Sequence, residues 1–466
     1  APSPTEPPAV APTAQPEPTA APTETVEAAL PTDATPLDGQ WEGAIDIGGQ
    51  QLGIIVKFDS STGALTATID IPQQGAADLP LDRVSLDGDA VHFEIGPVGA
   101  VFDGTLDGET ISGDFAQAGA TGTFAITRTG DVAAATPTPE VPYTVEELTW
   151  ALDDTTMGAT LTVPEGDGPF PAVVFVAGSG PTDRNWNSAL LPGRNGSAAL
   201  LADELTRAGY ATLRYDKRFT GPYAQQNMAA LVGNISFQSH LDELASAVDA
   251  LAARDEVDPA QLFVLANSEG TLHALNYQAS DTAIPFAGLI LTGAPGRPMT
   301  EVLHQQMDQN VLSAEPNREE LLAKWDEAIA AFVAGEPAEL DPALPDSVRQ
   351  VWAGLTAPAN QPFSAELLRT RPADLLAATT APVLVIIGQK DIQIDWQADG
   401  EVLEAAAGDS VTFSYPANAN HVMKLEEKPV EELTAADGAN YNTADRVLDP
   451  EVVQTILDWL AARMEP

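Results

Sequence analysis

The sequence contains no cysteine among its 466 residues. Disulfide bonds, thiolate nucleophiles, zinc–thiolate sites and iron–sulfur clusters are therefore excluded. Basic residues are also scarce: 21 lysines and arginines stand against 68 aspartates and glutamates, which gives a formal net charge of −47. Nucleic acids and anionic membranes bind proteins through basic patches, so this balance argues against both as partners.

Long apolar runs are missing as well. No run of roughly eighteen consecutive apolar residues occurs, which is the length a transmembrane helix requires, so we expect no membrane span. The sequence has neither a signal-peptide pattern nor an initiator methionine, so we expect a mature or trimmed chain. With five histidines in all, chemistry that needs an imidazole has few candidates.

Two segments rich in proline and threonine separate parts of different composition. Residues 1–37 form the first, whose initial 36 positions hold ten prolines and seven threonines but no aromatic residue, lysine or arginine. So little apolar surface predicts a disordered tether, which either holds the chain near a cell surface or is a solvated tail without a partner. Residues 130–143 resemble this segment and are predicted to be a linker.

Residues 38–129, between these segments, show short runs that alternate apolar and polar residues, such as WEGAIDI, LGIIVKF and TISGDF. Turn signals separate the runs and no stretch has a helical period, which predicts a small antiparallel β-barrel or sandwich of about eight strands. The single histidine here, His92, lies inside an alternating strand and is expected to be structural. We recognise no catalytic set of residues in this segment.

Residues 144–466 alternate apolar strands with amphipathic helices. This pattern predicts an α/β fold with a doubly wound, mostly parallel sheet that helices cover on both faces. The strand spacing breaks between residues 293 and 381, where the sequence is helix-rich. We interpret this stretch as a helical cap over the strand ends at about residues 296–375, with an ordinary surface excursion as the alternative. We expect most of its aromatic side chains to pack within the cap's own core, namely Trp325, Phe332 and Trp352.

The strongest local signal is LFVLANSEGTLHAL at residues 262–275, where an apolar strand runs through ANSEG directly into a helix. Small residues two positions on either side of a serine, between a strand and a helix, are typical of a nucleophile elbow. Such a turn lifts the Ser268 hydroxyl above the sheet, beside helix N-terminal N–H groups that stabilise developing negative charge. Ser268 is therefore the predicted nucleophile, with a helix-capping serine as the structural alternative.

A serine needs a general base, and after such an elbow the chain order is serine, acid, histidine. Two histidines follow the start of the predicted cap. His304 lies within a predicted cap helix, whereas His421 lies in the loop PANANH after the last predicted strand. Because a loop after a strand reaches the mouth of the sheet, His421 is the predicted base. His240 and His273 lie on earlier predicted helices and are interpreted as structural, although His273 is close enough to Ser268 to line the pocket.

The acid that orients the imidazole normally projects from a loop after a late strand. The apolar run PVLVIIG at residues 382–388 leads directly to Asp391, which is the predicted acid. The loop TGAPGRP after the preceding strand contains no acidic residue. Asp395 and Asp399, further along the Asp391 loop, are the alternatives, and the structural interpretation of Asp391 is a helix cap.

Acyl transfer also needs hydrogen-bond donors for the oxyanion. One is normally the backbone N–H of the residue after the nucleophile, here Glu269. The second is expected from the loop GSGPTDR after the third predicted strand. Ser179 is the preferred donor and Gly180 its neighbour, because glycines let this backbone approach the reacting carbon closely. Asp183 and Arg184 are expected to brace the loop.

On these motifs, residues 144–466 resemble the α/β-hydrolase superfamily of serine esterases. The segments GSGPTDR, AGYATLRYDKR, EVDPAQLFVLANSEG, PVLVIIGQKD and NANH occur where members of that superfamily carry corresponding segments. GSGPTDR and NSEG, with IDIPQQGAADLPL and LDGETISGDFAQAGATGTF in the predicted β domain, are similar to a narrower group: bacterial exported esterases in which a small β domain precedes the hydrolase. The sequence departs from that group at Ala266, where glycine is usual, and at RFTG (218–221), where relatives usually read R-G-x-G. The resemblance implies carboxylesterase activity on short acyl esters, with a helical cap.

We therefore expect a secreted or cell-surface serine carboxylesterase of bacterial type. It would hydrolyse small short-chain esters through an acyl-enzyme on a Ser268–His421–Asp391 triad, without a cofactor or a metal. Two alternatives stay open: a serine peptidase of the prolyl or aminopeptidase type on the same fold, and a polymer-binding protein with an idle hydrolase domain. A complete triad argues against the idle domain.

Overall fold

The computed structural model describes residues 35–47, 50–60, 65–71, 76–81, 83–95, 99–117, 120–130, 141–188, 194–281, 284–442 and 446–464. The tether predicted at residues 1–37 and the linker predicted at residues 130–143 lie almost entirely outside these ranges. The described chain contains two β-sheets, which differ in strand direction. None of the helices in these ranges combines the length and apolar character that crossing a membrane requires.

The first sheet has nine antiparallel strands: β1 (Gly39–Ile47), β2 (Gln50–Asp59), β3 (Thr66–Ile71), β4 (Ala76–Pro80), β5 (Arg83–Asp87), β6 (Ala90–Ile95), β7 (Ala100–Asp107), β8 (Thr110–Gln117) and β9 (Ala120–Gly130). Their order is β4-β3-β2-β1-β9-β8-β7-β6-β5. Strand β3 contacts β5 near the other end of this order, so the sheet is a nearly closed barrel. The prediction of a small antiparallel β-barrel is confirmed.

Apolar side chains at alternate positions of the strands form one core inside the barrel. The rings of Phe93 and Phe102 stack with centroids 4.5 Å apart, and the core extends to Leu37, whose carbonyl accepts a hydrogen bond from Trp41 Nε1 at 2.7 Å. The edge strands β4 and β5 have five residues each. So short an alternation leaves little sequence signal, which explains why about eight strands were expected and nine are present.

The second sheet has eight strands: β10 (Tyr143–Leu152), β11 (Thr155–Pro164), β12 (Phe170–Val176), β13 (Ala211–Tyr215), β14 (Val257–Asn267), β15 (Gly288–Thr292), β16 (Val383–Ile386) and β17 (Val411–Ser414). Their order is β10-β11-β13-β12-β14-β15-β16-β17. The β10–β11 and β11–β13 pairs are antiparallel, and all further pairs are parallel. The predicted mostly parallel sheet is therefore confirmed.

The α-helices of the described chain are α1 (Ser197–Arg207), α2 (Ala224–Leu231), α3 (Phe237–Ala252), α4 (Gly270–Ala279), α5 (Met299–Gln306), α6 (Arg318–Ala334), α7 (Asp346–Thr356), α8 (Phe363–Arg369), α9 (Pro372–Ala377), α10 (Ala398–Ala406) and α11 (Pro450–Met464). Apolar residues of α1 and α11 pack on one face of the second sheet. Those of α3 and α4 pack on the other face. The sheet is thus covered on both sides, and its strand ends lie at the edge between the two helix layers.

Helices α5 to α9 form a helical insert between β15 and β16. They have an apolar core of their own, in which Trp352 contacts Trp325 and Phe332 with ring centroids 6.1 and 5.8 Å away. The expectation that these aromatic residues pack within the insert is confirmed. The insert also contacts α3, because Glu366 accepts the Phe237 N–H at 2.7 Å.

Replacing Phe102 by alanine should lower the free energy of unfolding by about 3–5 kcal/mol, because the lost ring leaves a cavity in a fully buried site. Equilibrium denaturation followed by circular dichroism measures this loss. The matched control is Thr127→Ala, at an exposed position of β9, which should change stability by less than about 0.5 kcal/mol. Equal losses from the two variants would contradict the position of Phe102 in the barrel core.

Candidate active site

Ser268 occupies a strained turn between β14 and α4. Its φ is +55°, in the left-handed region, which costs a residue with a side chain about 1–2 kcal/mol. The Ser268 N–H donates to the Thr292 carbonyl at 2.9 Å, and the Ser268 carbonyl accepts from the Thr271 hydroxyl at 2.6 Å. Ser268 is partly exposed, whereas its neighbours Asn267 and Glu269 are buried. This conformation is the one expected of a nucleophile elbow.

Close packing explains the small residues on either side of this turn. A Cβ added to Gly270 would lie 2.6 Å from the Ala177 carbonyl oxygen and 2.8 Å from that of Val176, so α4 meets β12 too closely for any side chain. Ala266 is fully buried between Val176 and Leu291 of the neighbouring parallel strands. The sheet accommodates its methyl group, although glycine is usual there in the esterases that the sequence resembles.

Asp391 and His421 lie within hydrogen-bond reach of one another, as the sequence predicts. Asp391 Oδ2 is 2.8 Å from His421 Nδ1, and both side chains are almost completely buried. The other oxygen of this carboxylate accepts the N–H groups of Gln393 and Ile394 at 2.7 and 2.9 Å. Asp391 therefore caps the turn after β16 and also orients the imidazole, and a proton on Nδ1 leaves Nε2 as the acceptor.

Parallel strands bring these residues to one edge of the sheet. Ser268 follows β14, Asp391 follows β16 and His421 follows β17. Asn267 Nδ2 donates to the His421 carbonyl at 3.0 Å, and a Cβ on Gly293 would lie 3.1 Å from the His421 ring. The loop that carries His421 therefore packs against the strand ends beside Ser268, at the edge where α/β sheets bind ligands.

The alternative acids make other contacts. Asp395 accepts the N–H groups of Gln397 and Ala398 at 3.0 and 3.1 Å, at the start of α10. Asp399 is fully buried and accepts the backbone N–H and the guanidinium of Arg297 at 3.0 and 2.7 Å, which holds the start of the helical insert. The carboxylate that meets His421 is therefore neither of these.

Two other histidines contact carboxylates elsewhere in the structure. His92, in β6 of the barrel, contacts Asp103 at 2.6 Å and Glu94 at 2.9 Å. His304, in α5, contacts Asp326 at 2.9 Å. Neither belongs to the edge of the second sheet that carries Ser268.

The loop after β12 lies directly beside Ser268. A Cβ on Gly178 would be 3.1 Å from the Ser268 Cβ. Ser179 and Gly180 are exposed, and Gly180 has a φ of +71°. The Thr182 hydroxyl donates to the Ser179 carbonyl at 2.7 Å, which holds this peptide in one orientation. Backbone N–H groups of this loop are therefore near the predicted nucleophile.

Asp183 and Arg184 brace the same loop, as expected. Asp183 accepts the N–H groups of Asn185 and Asn187 at 2.8 and 2.9 Å. The Arg184 guanidinium pairs with Asp216 at 2.6 Å. The Asp183 contacts thus close the loop on itself, and the Arg184 contact attaches it to the residue directly after β13.

A buried charged network that no catalytic motif predicts lies beneath the Ser268 turn. The Glu269 carboxylate lies 3.4 Å from Lys217 Nζ and 3.3 Å from His273 Nε2, and all three side chains are buried. Lys217 belongs to YDKR, directly after β13. Three consecutive charged residues at the end of a buried strand are the signal that points to such a network, because buried charges need partners.

The network has a defined charge state. Burial alone would raise the pKa of Glu269, but the Lys217 ammonium and the hydrogen bond with His273 lower it below its ordinary value. Burial and the neighbouring His240 lower the pKa of His273 to about 4. At neutral pH Glu269 is therefore ionised and His273 is neutral, with Nε2 donating to the carboxylate.

In the described part of the chain, one group of three residues has the spacing of metal ligands: His240, Glu269 and His273 offer atoms within 4.8 Å of one another. The Glu269 carboxylate, however, already pairs with the Lys217 ammonium and accepts the His273 Nε2–H. His240 Nδ1 contacts Glu243 at 3.0 Å. The Glu269 carboxylate and His240 Nδ1 are therefore already engaged by other groups, whereas the buried His273 Nδ1 has no hydrogen-bond partner. A carboxylate paired with an ammonium fits a buried polar network better than a cation site.

The sequence pattern of the Alpha/beta hydrolase family matches residues 173–436, and the protein belongs to that family. The matched range begins in β12 and extends beyond His421. It includes the strained turn, the Asp391 loop and the helical insert. The resemblance to α/β-hydrolases that the motifs carry is therefore confirmed.

Individual proteins resemble this chain at low sequence identity. Esterase EstD of Thermotoga maritima is 26% identical over 336 residues, which cover 69% of this chain and 70% of the relative. A structure of Est1E from Butyrivibrio proteoclasticus with ferulic acid bound has 15% identity and a TM-score of 0.41, covering 68% of this chain and 99% of that chain. Proline iminopeptidase from Mycobacterium smegmatis has 16% identity and a TM-score of 0.40, covering 68% and 98%.

Substitution of Gly270 by alanine should destabilise the protein by more than about 2 kcal/mol, because the new Cβ would overlap the backbone carbonyls of Val176 and Ala177 at the end of β12. Chemical denaturation measures the change. Gly354→Ala is the matched control: it lies in α7 with open space around its Cβ position and should stabilise the protein by up to about 1 kcal/mol. A Gly270→Ala variant of unchanged stability would show that α4 does not lie against β12 as described.

Proposed function

We propose that the protein is a serine carboxylesterase that hydrolyses short-chain carboxylic esters through an acyl-enzyme. The observation that carries the proposal is the 2.8 Å hydrogen bond between Asp391 and His421 at the sheet edge where Ser268 occupies its strained turn. Acyl transfer requires a nucleophile, a base and an acid that orients the base. The name of the Thermotoga maritima relative, an esterase, supports an ester as the substrate.

In the proposed mechanism, Ser268 Oγ attacks the ester carbonyl carbon while His421 Nε2 accepts the hydroxyl proton. Asp391 holds the ring through Nδ1 and stabilises the imidazolium that forms. The carbonyl π electrons move to the oxygen, which becomes the oxyanion of a tetrahedral intermediate. Collapse of this intermediate expels the alcohol, which takes the proton back from His421. Water then repeats the same steps on the acyl-enzyme and releases the acid.

The oxyanion needs preorganised donors, and we assign this role to the Glu269 N–H and to the loop after β12. Glu269 directly precedes the first residue of α4, so its N–H lies at the positive end of that helix. Ser179 N–H is the preferred second donor, with Gly180 N–H as its neighbour. Removal of one such donor typically costs about 10²–10³-fold in kcat.

The helical insert is proposed to cap this site and to limit it to small acyl groups. Gln306, at the end of α5, donates to the Gln393 carbonyl at 3.2 Å, two residues beyond Asp391. Phe363, at the start of α8, contacts the His273 ring at 6.0 Å on the helix that follows Ser268. The insert thus touches elements on both sides of the triad.

The barrel is proposed to supply no catalytic group. Its described strands contain one histidine, His92, which is engaged by Asp103 and Glu94. Stability, orientation or attachment are the roles that remain for it. Export to the cell surface, expected from the composition of residues 1–37, stays a prediction.

Ser268→Ala should leave the fold intact but lower ester hydrolysis by at least about 10³-fold and abolish labelling by a fluorophosphonate, because the nucleophile is gone. Asp391→Asn should reduce kcat by roughly 10⁴-fold, since an amide would hold the wrong tautomer of His421. Steady-state kinetics with p-nitrophenyl acetate and gel-based labelling measure both effects. His304→Ala, in the insert, is the histidine control and should keep full activity. Wild-type turnover by Ser268→Ala would refute the assignment.

A substrate panel separates the esterase from the peptidase. We expect the highest kcat/KM on p-nitrophenyl acetate and butyrate, a steep fall for longer acyl chains because the insert closes the pocket, and negligible hydrolysis of prolyl and other amino-acid anilides. Faster hydrolysis of the anilides would favour the peptidase. High activity on long-chain esters, without activity on acetate or butyrate, would contradict the capping role of the insert.

A further inference from the structure

Lys217 is a buried cation that joins two parts of the proposed oxyanion site. Its ammonium donates to the Gly178 carbonyl and, at 3.3 Å, to the Gly180 carbonyl of the loop after β12. The same group lies 3.4 Å from the carboxylate of Glu269, the residue after Ser268. The Lys217 side chain is 4% exposed, so these contacts replace its hydration shell.

The contact with Gly178 determines where the Ser179 N–H points. The Gly178 carbonyl and the Ser179 N–H belong to one planar trans peptide, in which the two groups point in opposite directions. Because the buried ammonium draws the carbonyl inward, the N–H is directed to the opposite, exposed side of the loop. A charged donor on the carbonyl also polarises the peptide and strengthens its N–H as a donor.

The next two peptides of the loop are held in a similar way. The Thr182 hydroxyl donates to the Ser179 carbonyl at 2.7 Å, which orients the Gly180 N–H. The Gly180 carbonyl accepts a hydrogen bond from Lys217. The nitrogen of this peptide belongs to Pro181 and carries no hydrogen, so it offers no donor. None of these three carbonyls is therefore left to face an oxyanion, which it would repel.

On the other side, Lys217 attracts the Glu269 carboxylate, and the His273 Nε2–H holds the same carboxylate oxygen at 3.3 Å. The backbone N–H of Glu269 is the first proposed oxyanion donor. One ammonium group thus contacts the side chain of Glu269 and the carbonyl of the Gly178–Ser179 peptide, which carries the second donor. The Phe219 ring lies with its centroid 5.7 Å from Lys217 Nζ, beside the ion pair.

We propose that Lys217 is a positioning residue for the esterase reaction, which sets the spacing and direction of the two oxyanion donors, the Glu269 N–H and the Ser179 N–H. This inference rests on the proposed function. Lys217 then stabilises the transition state but does not strengthen binding of the uncharged ester, because the donors meet full charge only when the oxyanion forms.

Two variants test the inference. Lys217→Met removes the charge while keeping a long side chain, and Lys217→Met/Glu269→Gln removes both charges, so no unpaired carboxylate remains to prevent folding. The Glu269 backbone N–H persists in both. Arg218→Met is the matched control: it removes the next residue's buried cation, which pairs with Glu243 at 3.0 Å and belongs to no contact of the loop after β12.

The measurements are kcat and KM on p-nitrophenyl butyrate, together with inhibition by an alkyl trifluoromethyl ketone and by the corresponding methyl ketone. The trifluoromethyl ketone forms a C–O bond with Ser268 Oγ and places an oxyanion in the site, while the serine proton moves to His421; the methyl ketone binds without this addition. We expect both Lys217 variants to lose about 10- to 100-fold in kcat and to bind the trifluoromethyl ketone more weakly by a similar factor. Values of KM and the methyl ketone inhibition constant should change less than about threefold. Arg218→Met should keep kcat within about threefold.

Three outcomes overturn the inference. In the first, an active wild type and a folded Lys217 variant share the same kcat. In the second, kcat falls while the affinities for the two ketones fall equally, which indicates a general distortion of the pocket. In the third, Arg218→Met loses as much kcat as Lys217→Met. A wild type that neither hydrolyses the ester nor binds the trifluoromethyl ketone would instead refute the proposed function itself.

Discussion

The close approach of α4 to β12 is the constraint on which the geometry of the site depends. Position 270 has no room for a Cβ, because the carbonyl groups of Val176 and Ala177, at the end of β12, already occupy that space. With the helix held there, the chain must leave β14 and enter α4 within two residues, which puts Ser268 at a φ of +55°. The hydrogen bonds of Ser268 to Thr292 and Thr271 offset this local strain. The serine is left partly exposed, beside the N-terminus of a helix and the loop after β12.

The scarcity of basic residues makes their placement informative. The chain has 21 lysines and arginines and a formal net charge of −47. Two of these few cations, Lys217 and Lys424, are nevertheless buried near the sheet edge that carries Ser268. Lys424, three residues beyond His421, donates to the Tyr441 carbonyl at 2.9 Å. Buried charges of this kind add little net stability, but they restrict the backbone to one arrangement. Here the restricted backbone belongs to the loops from which acyl transfer would draw its groups.

The barrel and the helical insert each contain an apolar core separate from the two cores that flank the second sheet. A substitution that disturbs packing in the barrel core therefore first lowers the stability of the barrel, and one in the insert core first lowers the stability of the insert. The insert has a second role in the structure, because the Arg297–Asp399 pair and the Glu366–Phe237 hydrogen bond attach it to α10 and α3. Its position relative to the strand ends thus depends on these polar contacts, on the aromatic stack of Phe363 with Phe237 at 5.5 Å, and on Val302 and Leu376, which belong to an apolar core of the second sheet.

The sequence by itself determined the features that local pattern encodes. Strand and helix periods specified the mostly parallel sheet, the antiparallel barrel and the helical insert. The small residues around Ser268, between a strand and a helix, specified the turn, and chain order directed attention to Asp391 and His421. Only the tertiary structure decided that Asp391, rather than Asp395 or Asp399, meets His421, since all three acids lie in one short stretch after β16 and the contacts of each depend on how distant segments pack around it. The Lys217–Glu269–His273 network also became visible only in the fold. Its members come from a strand end and a helix on different parts of the chain, and no sequence period records that buried charges from such distant positions must find one another.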